Sequence, residues 1–375
     1  MFNLISSYFC RGLKEIMKKV LFIGAHRPDR SPSQRFRFEQ YINHLEENGF
    51  VCHQSYLIKE WHEKKFYNPG NLTHKMYIFI RSFAKRLYEV VRYYNYDIIF
   101  VQREAFMTGT TLFERLYKLT KAKLIFDFDD AIWLHDVSEA NKKLGWLKNP
   151  DKTGKIIRIA DLIFAGNEYL AEYARKFNGN VVIIPTTIDT NEYRNLLLNT
   201  HPSVCIGWSG SMTTIKHFEY AIPFLIQLKN KYGNKISFKV IGDGSYRNEA
   251  LGITGIAWNK EDEIKELSSF DIGIMPLPHD EWAKGKCGLK GLQYMALEIP
   301  TVMSPVGVNM EIIKDGTNGF LAETTDEWVE KVSLLLESEE LRHKIGKEGR
   351  KTVVEKYSTE SQKKNYLNHF NNIIQ

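Results

Sequence analysis

KCGLKGLQYMALEIPTVMSPVGVN, residues 286–309, opens on a cysteine-glycine turn, continues as an apolar helical run with Lys286 and Lys290 at its start, and after Pro300 becomes a short β-rich run ending in a Gly/Asn loop. Lysines four apart share one face of a helix. The free N–H groups of a first turn add partial positive charge there, so the stretch has the build of a diphosphate site. Two lysines on a solvated helix would look the same, so the remainder of the chain has to decide.

Moving outward, short apolar β-branched runs alternate with longer helical patterns. In the first half they fall at residues 20–24, 97–102, 123–126, 162–165 and 181–185; in the second, at 204–208, 237–242, 272–276 and 301–304. Such alternation predicts βα units around parallel sheets, here two doubly wound, Rossmann-like α/β domains facing a cleft, with a ligand at the carboxyl ends of the strands. A chain of 375 residues also exceeds what one core usually organises. The expected division is an extension over 1–16, a first Rossmann-like domain over 17–198, a second over 199–357, and a C-terminal helix over 358–375 that crosses back to the first domain.

Composition narrows the function classes. Hydrophobic residues make up 43% and charged residues 26%, which is globular and excludes wholesale disorder. The net charge of +6 is too modest to imply nucleic acid. Cys10, Cys52, Cys205 and Cys287 are scattered without paired spacing, so neither a disulfide framework nor a zinc site is expected and a reducing cytoplasm fits. No segment reaches the ~20 apolar residues that span a bilayer. Met17 reads as a natural start, with residues 1–16 an upstream extension lacking a secretory pattern.

Three turns in the second half carry phosphate-type chemistry. Residues 209–214, SGSMTT, follow a β-run and precede Lys216; small residues such as Gly210 and Ser211 let backbone N–H groups approach a phosphate, and Lys216 adds mobile charge. A helix N-cap would use the same residue types, and the spacing is not that of a Walker loop. Gly242 and Gly244 form a GxG at the next strand end, weak alone because the third glycine is missing. With Lys286 and Lys290 they make three turns in one half, and the convergence outweighs each member.

The order GWSGS, VIGDG, GIMPLP and KCGLKGLQYMALEIPTVMSPVGVN resembles the nucleotide-sugar half of family-4 glycosyltransferases of the GT-B fold. SQRFRFEQYINHLEENG, DFDDAIW, ADLIFAGNEYLAEYARKF and VVIIPTTIDTNEY look like its acceptor-side domain. The resemblance implies transfer of a sugar from a nucleoside diphosphate donor to a surface-glycan or lipid-linked acceptor, usually with retention and without an obligatory metal or other cofactor. Lys216 and Lys290 would then grip the donor diphosphate, where negative charge grows as the glycosidic bond breaks. Many members place two glutamates, eight residues apart, on the donor sugar and ribose; here those positions are Gly285 and Gln293. Gln293 retains the capacity to bond a ribose hydroxyl, Gly285 has no side chain to offer, and Asn309 and Glu311 are the substitutes in the following loop.

Asp127, Asp129 and Asp130 form a DxD-like triplet whose hard oxygens suit magnesium or manganese. It lies in the half away from the phosphate-type turns, so no metal is assigned to it. On the resemblance it sits at the rim of the cleft, where Asp130 would orient or deprotonate the acceptor hydroxyl, with Asp127 a structural cap and His135 a nearby surface histidine. His26, Arg27, Arg37 and Arg103 leave strand ends or open a helix on the same side and are read as acceptor or phosphate contacts. Residues 75–94 form a basic helical run with apolar residues at helical spacing, fit either for an anionic membrane surface or for a core helix with a solvated face. The alternatives to a transferase are a sugar-nucleotide epimerase of the same fold and a non-catalytic nucleotide-sugar-binding subunit.

Overall fold

The computed structural model describes residues 17–67, 70–134, 149–196 and 202–375; His135 lies outside them. Two six-stranded sheets, all parallel, organise the chain. The first contains β1 (Lys18–His26), β2 (Phe50–Ile58), β3 (Ile98–Gln102), β4 (Lys123–Phe128), β5 (Leu162–Ala165) and β6 (Val181–Ile183), in the order β2-β1-β3-β4-β5-β6. The second half adds β7 (Val204–Ser209), β8 (Ile236–Gly242), a small hairpin of β9 (Arg247–Asn248) and β10 (Ile253–Thr254), then β11 (Ile256–Ala257), β12 (Ile272–Met275), β13 (Thr301–Met303) and β14 (Phe320–Leu321). Its sheet runs β11-β8-β7-β12-β13-β14. Strands covered on both faces must be apolar throughout, and β3, IIFVQ, is buried at every position.

The strand order reverses between β1 and β3 in one sheet and between β7 and β12 in the other. Those switch points open the crevices where doubly wound sheets bind ligands. Eight helices bear on the site and its surroundings: α1 (Pro32–Arg35), α2 (Glu60–Tyr67), α3 (Leu72–Arg92), α4 (Ile215–Phe218), α5 (Lys260–Leu267), α6 (Leu289–Ala296), α7 (Asn309–Ile312) and α8 (Thr359–Asn372).

The chain passes between the sheets twice, and the two passages are hydrogen-bonded to each other: Ile188 N donates to Tyr357 O at 2.8 Å and Thr359 N donates to Ile188 O at 3.0 Å. Beyond the second passage α8 returns to the first sheet. Tyr366 stacks on Tyr41 with ring centroids 4.1 Å apart, and Phe370 joins Phe22, Phe50 and Phe100 in one core. The last helix is thus part of the first domain's hydrophobic core.

Candidate functional site

Glycines set how closely the phosphate-type turns approach. Gly242, at φ 135°, packs so tightly on the turn after β7 that a Cβ there would lie 2.5 Å from Gly210 O. Gly210 N donates to Ile241 O at 2.9 Å. The turns after β7 and β8 are therefore in direct contact at the end of their sheet. Ser211 is engaged locally, its Oγ 3.0 Å from Thr213 Oγ1 and its N–H donating to Thr214 Oγ1 at 2.8 Å. Gly244 follows one residue after Asp243, whose carboxylate accepts from Ser245 N and Oγ.

The lysine-bearing stretch differs from its sequence reading in one respect. The helix begins at Leu289, because Gly288 adopts φ 70° as its N-cap and supplies no side chain to cap the first turn. Lys286 precedes the helix, so it and Lys290 do not share a helical face. Lys290 stands over the Trp208 ring, 5.5 Å from its centroid, and meets no carboxylate or hydrogen-bond partner among the described residues. Burial pushes its amine down to about 8, Lys286 adds to the shift and Asp130 opposes it. A cation held this way, beside the open first turn of α6, is arranged to receive an anion.

Lys286 is committed to the opposite domain. Its Nζ lies 3.0 and 2.9 Å from the two Asp130 oxygens and 5.1 Å from the Trp282 ring centroid. Asp130 Oδ2 also faces Arg103 Nη2 at 3.4 Å, and Arg103 Nε donates to Asp129 Oδ1 at 3.0 Å. Asn167 completes the junction by donating to Lys286 O at 3.0 Å, with Cys287 Sγ donating to Asp129 O at 3.3 Å. Trp282, Lys216, His217, Tyr220, Asp280 and, from the first domain, Leu134 line a cavity of about 490 Å³. Lys216 therefore opens into the cleft, next to the tryptophan that carries Lys286.

Several expected contacts need correction. Arg37 is not on the cleft: it is fully buried, its Nε 3.2 Å from Asp127 Oδ1 and its Nη1 donating to Ile184 O. Burial opposes its charge, yet Asp127 holds the guanidinium above its ordinary value. Gln293 does not offer its amide to a ribose, since it is buried and donates to Tyr193 OH at 3.0 Å and Glu263 Oε1 at 3.3 Å. Arg35 of α1 closes that network on Glu263 Oε2 at 2.8 Å. Asp130 is engaged by Lys286 and Arg103 across the domain junction. Gly285 has no room for the family's glutamate, because a Cβ there would meet Ala131 Cβ at 2.7 Å.

Of the remaining candidates, Asn309 is buried, donating to Ser304 O at 3.0 Å, and Glu311 is exposed on α7. Arg27 pairs with Glu60 and Glu63 and lines a second cavity of about 520 Å³ with Trp258 and Lys260. His26 ends β1, where burial pushes its imidazole down to about 4 and keeps it neutral. Sequence reasoning missed Trp208, Trp282 and Asn167. Trp208 and Asn167 lie inside quoted motifs and Trp282 falls between two of them, which is the signal that was there to use.

Residues 190–352 match the family model described as Glycosyl transferases group 1. A poly(ribitol-phosphate) alpha-N-acetylglucosaminyltransferase of Staphylococcus aureus (strain COL) is 24% identical over 233 residues, 54% of this chain and 46% of the relative, so the chain spans about half the length of the curated relative it matches. A glycosyltransferase from Rickettsia africae superposes with a TM-score of 0.67 at 16% identity, covering 96% of this chain and 99% of that one. HepE of Anabaena, solved in complex with UDP and glucose, gives 0.67 at 12% identity over 95% and 100% of the two chains. Residues 190–352 thus resemble the glycosyl transferases group 1 model, and the whole chain takes the two-domain GT-B fold of its structural neighbours.

Proposed function

We propose that the protein transfers a hexose-type sugar from a nucleoside diphosphate sugar to a surface-glycan or lipid-linked acceptor, with retention at the anomeric carbon, without a divalent metal, in the cytoplasm. The observation that carries this reading is the half-buried Lys290, which meets no carboxylate within contact distance among the described residues, placed beside the uncapped start of α6 and above Trp208 at the end of β7. When the bond from the anomeric carbon to the diphosphate breaks, charge accumulates on the leaving oxygens. A cation already desolvated and aimed there stabilises that charge more than it stabilises the intact donor. Lys216 would approach from the cleft side. Lys286 and Arg103, fixed by Asp129 and Asp130, would keep the first-domain rim in register with the donor turns.

A second reading has an observation of its own. With Gly285 walled off by Ala131 and Gln293 tied to Glu263, neither family carboxylate position reaches a sugar, which suits a nucleotide-sugar-binding subunit that does not catalyse. One experiment separates the two. A panel of UDP- and GDP-sugars is screened for thermal stabilisation, and the best donor is then assayed for transfer and hydrolysis in the parent and in Lys290→Ala. The transferase reading expects product, lowered roughly 100-fold by the substitution with the melting temperature nearly unchanged. Stabilisation without product overturns it in favour of the binder, and an unchanged rate in Lys290→Ala removes that residue from the chemistry.

A further inference from the structure

Helix α3 carries apolar residues on both its inner and its outer face. Its inward face carries Arg86 and Glu89, both buried, along with Ser82 and Ile78. Arg86 is satisfied there: Nη1 lies 2.6 Å from Glu89 Oε2 and 2.7 Å from Ser55 Oγ, Nε donates to Ala105 O at 2.7 Å, and Nη2 donates to Gly24 O at 3.1 Å. That network fixes the rotation of the helix, because releasing it would leave a buried charge unpaired. Of the apolar residues whose spacing suggested an amphipathic helix, Phe79, Phe83 and Val90 pack inward. The others remain outside.

Met76, Tyr77, Ile80, Leu87, Tyr88 and Val91 are exposed, Ile80 by 60% and Val91 by 78%. At the helical advance of 3.6 residues per turn they fall within an arc of about 120° that contains no charged residue. Scattered exposed apolar residues are ordinary, whereas a contiguous stripe of them on one element marks a contact surface. The stripe continues onto α2, where Trp61 is 57% exposed with its ring 6.4 Å from Tyr77. Arg81, Lys85 and Arg92 follow along one edge, Lys85 leaning back onto Tyr56 O and the inward-turned Glu89, Arg81 onto Leu57 O, and Arg92 exposed. Arg92 Nη1 donates to Tyr88 OH at 2.7 Å, which ties the basic edge to the apolar face.

We propose that the α2–α3 face docks on an anionic bilayer surface, with the apolar stripe entering the headgroup boundary and the basic edge meeting acidic headgroups. Aromatic residues with one polar end suit that boundary, and the cations suit lipid phosphate. A second copy of the chain fits less well, because an antiparallel two-fold pairing of the face would set one basic edge against the other. No helix among the described residues is long and apolar enough to cross a membrane, so the contact is one of lying on the surface.

The test needs no sugar donor, so its outcome is independent of the transferase reading. The full chain is sedimented with phosphatidylcholine vesicles with or without about 30% phosphatidylglycerol, and the double variants Ile80→Glu/Val91→Glu and Ile80→Ser/Val91→Ser are run beside it after checking that their thermal melting matches the parent. The expected result is binding to the anionic vesicles alone, weakened by added salt, with the bound-to-free ratio lowered at least about tenfold in the glutamate pair and by less in the serine pair. Failure of the parent to sediment with anionic vesicles overturns the proposal, as does equal binding by the folded variants. Light scattering that shows a dimer abolished by the same substitutions, with no vesicle binding, reassigns the face to a second copy.

Discussion

The two domains use charge in opposite ways. In the first, Arg27 and Arg103 after strand ends and the buried Arg37 are all matched by carboxylates: Arg37 by Asp127, Arg103 by Asp129 and Asp130, and Arg27 by Glu60 and Glu63. In the second, Lys290 is half-buried with an aromatic ring beneath it and no carboxylate in contact with it among the described residues. A matched pair is a structural brace whose loss weakens the fold. An unmatched cation costs the fold some stability and gains its counter-charge only when a ligand arrives. Side chains that look equivalent in the sequence therefore have different duties, and substitutions should separate them.

The largest expected effect is on stability and falls in the first domain. Asp127→Ala leaves Arg37 buried and uncompensated, which costs about 3–5 kcal/mol. Chemical denaturation should show that loss directly. If Asp127→Ala unfolds at the parent's denaturant concentration, the pair is not a brace and the contrast between the halves fails.

Next in size is Gly285→Glu, which restores a side chain where many family members carry one. Its Cβ would press on the Ala131 methyl and backbone, so the expected cost is about 1–3 kcal/mol of stability, with no gain in donor affinity. Combining it with Ala131→Gly should recover part of the melting temperature. A fully stable single variant with tighter donor binding would mean that the domain junction yields easily, and that the second domain's site extends further toward the first than the packing indicates.

The α/β architecture was legible because fully buried parallel strands are written as continuous apolar runs, as in IIFVQ and LIFA. The strand FVCHQSYLI was missed for the complementary reason. It is the edge of the first sheet, and His53 and Gln54 face solvent in its middle. The glycine-bearing turns after β7 and β8 were also legible, since glycine at a strand end is a local signal. What local patterns cannot carry is partnership across the fold. Arg37 finds Asp127 at a separation of 90 residues, and Arg35 finds Glu263 at 228. The first turned an apparent ligand contact into a brace, and the second, through Glu263, holds Gln293 away from the cleft. The burial of Arg86 and Glu89 on α3 has the same origin, because helical spacing marks two faces without saying which one the sheet will cover.

The smallest effect is the most specific to the unmatched cation. Because Lys290 sits near 8 in the free protein, it is mostly charged at neutral pH and mostly neutral one unit above that value. A nucleoside diphosphate sugar keeps both phosphates ionised across this range, so the lysine is the partner that titrates. Bound diphosphate raises the amine above 8, and the attraction is therefore complete below the free value and lost as pH rises through it. Donor affinity should weaken by up to roughly tenfold between about pH 7 and about pH 9. Lys290→Arg keeps its charge throughout and should flatten the profile, even if the longer fork binds less well at neutral pH. Calorimetric titration of the parent and the arginine variant across that range makes the comparison. Parallel profiles would place the titrating group elsewhere and leave Lys290 with the same bracing duty as the arginines of the first domain.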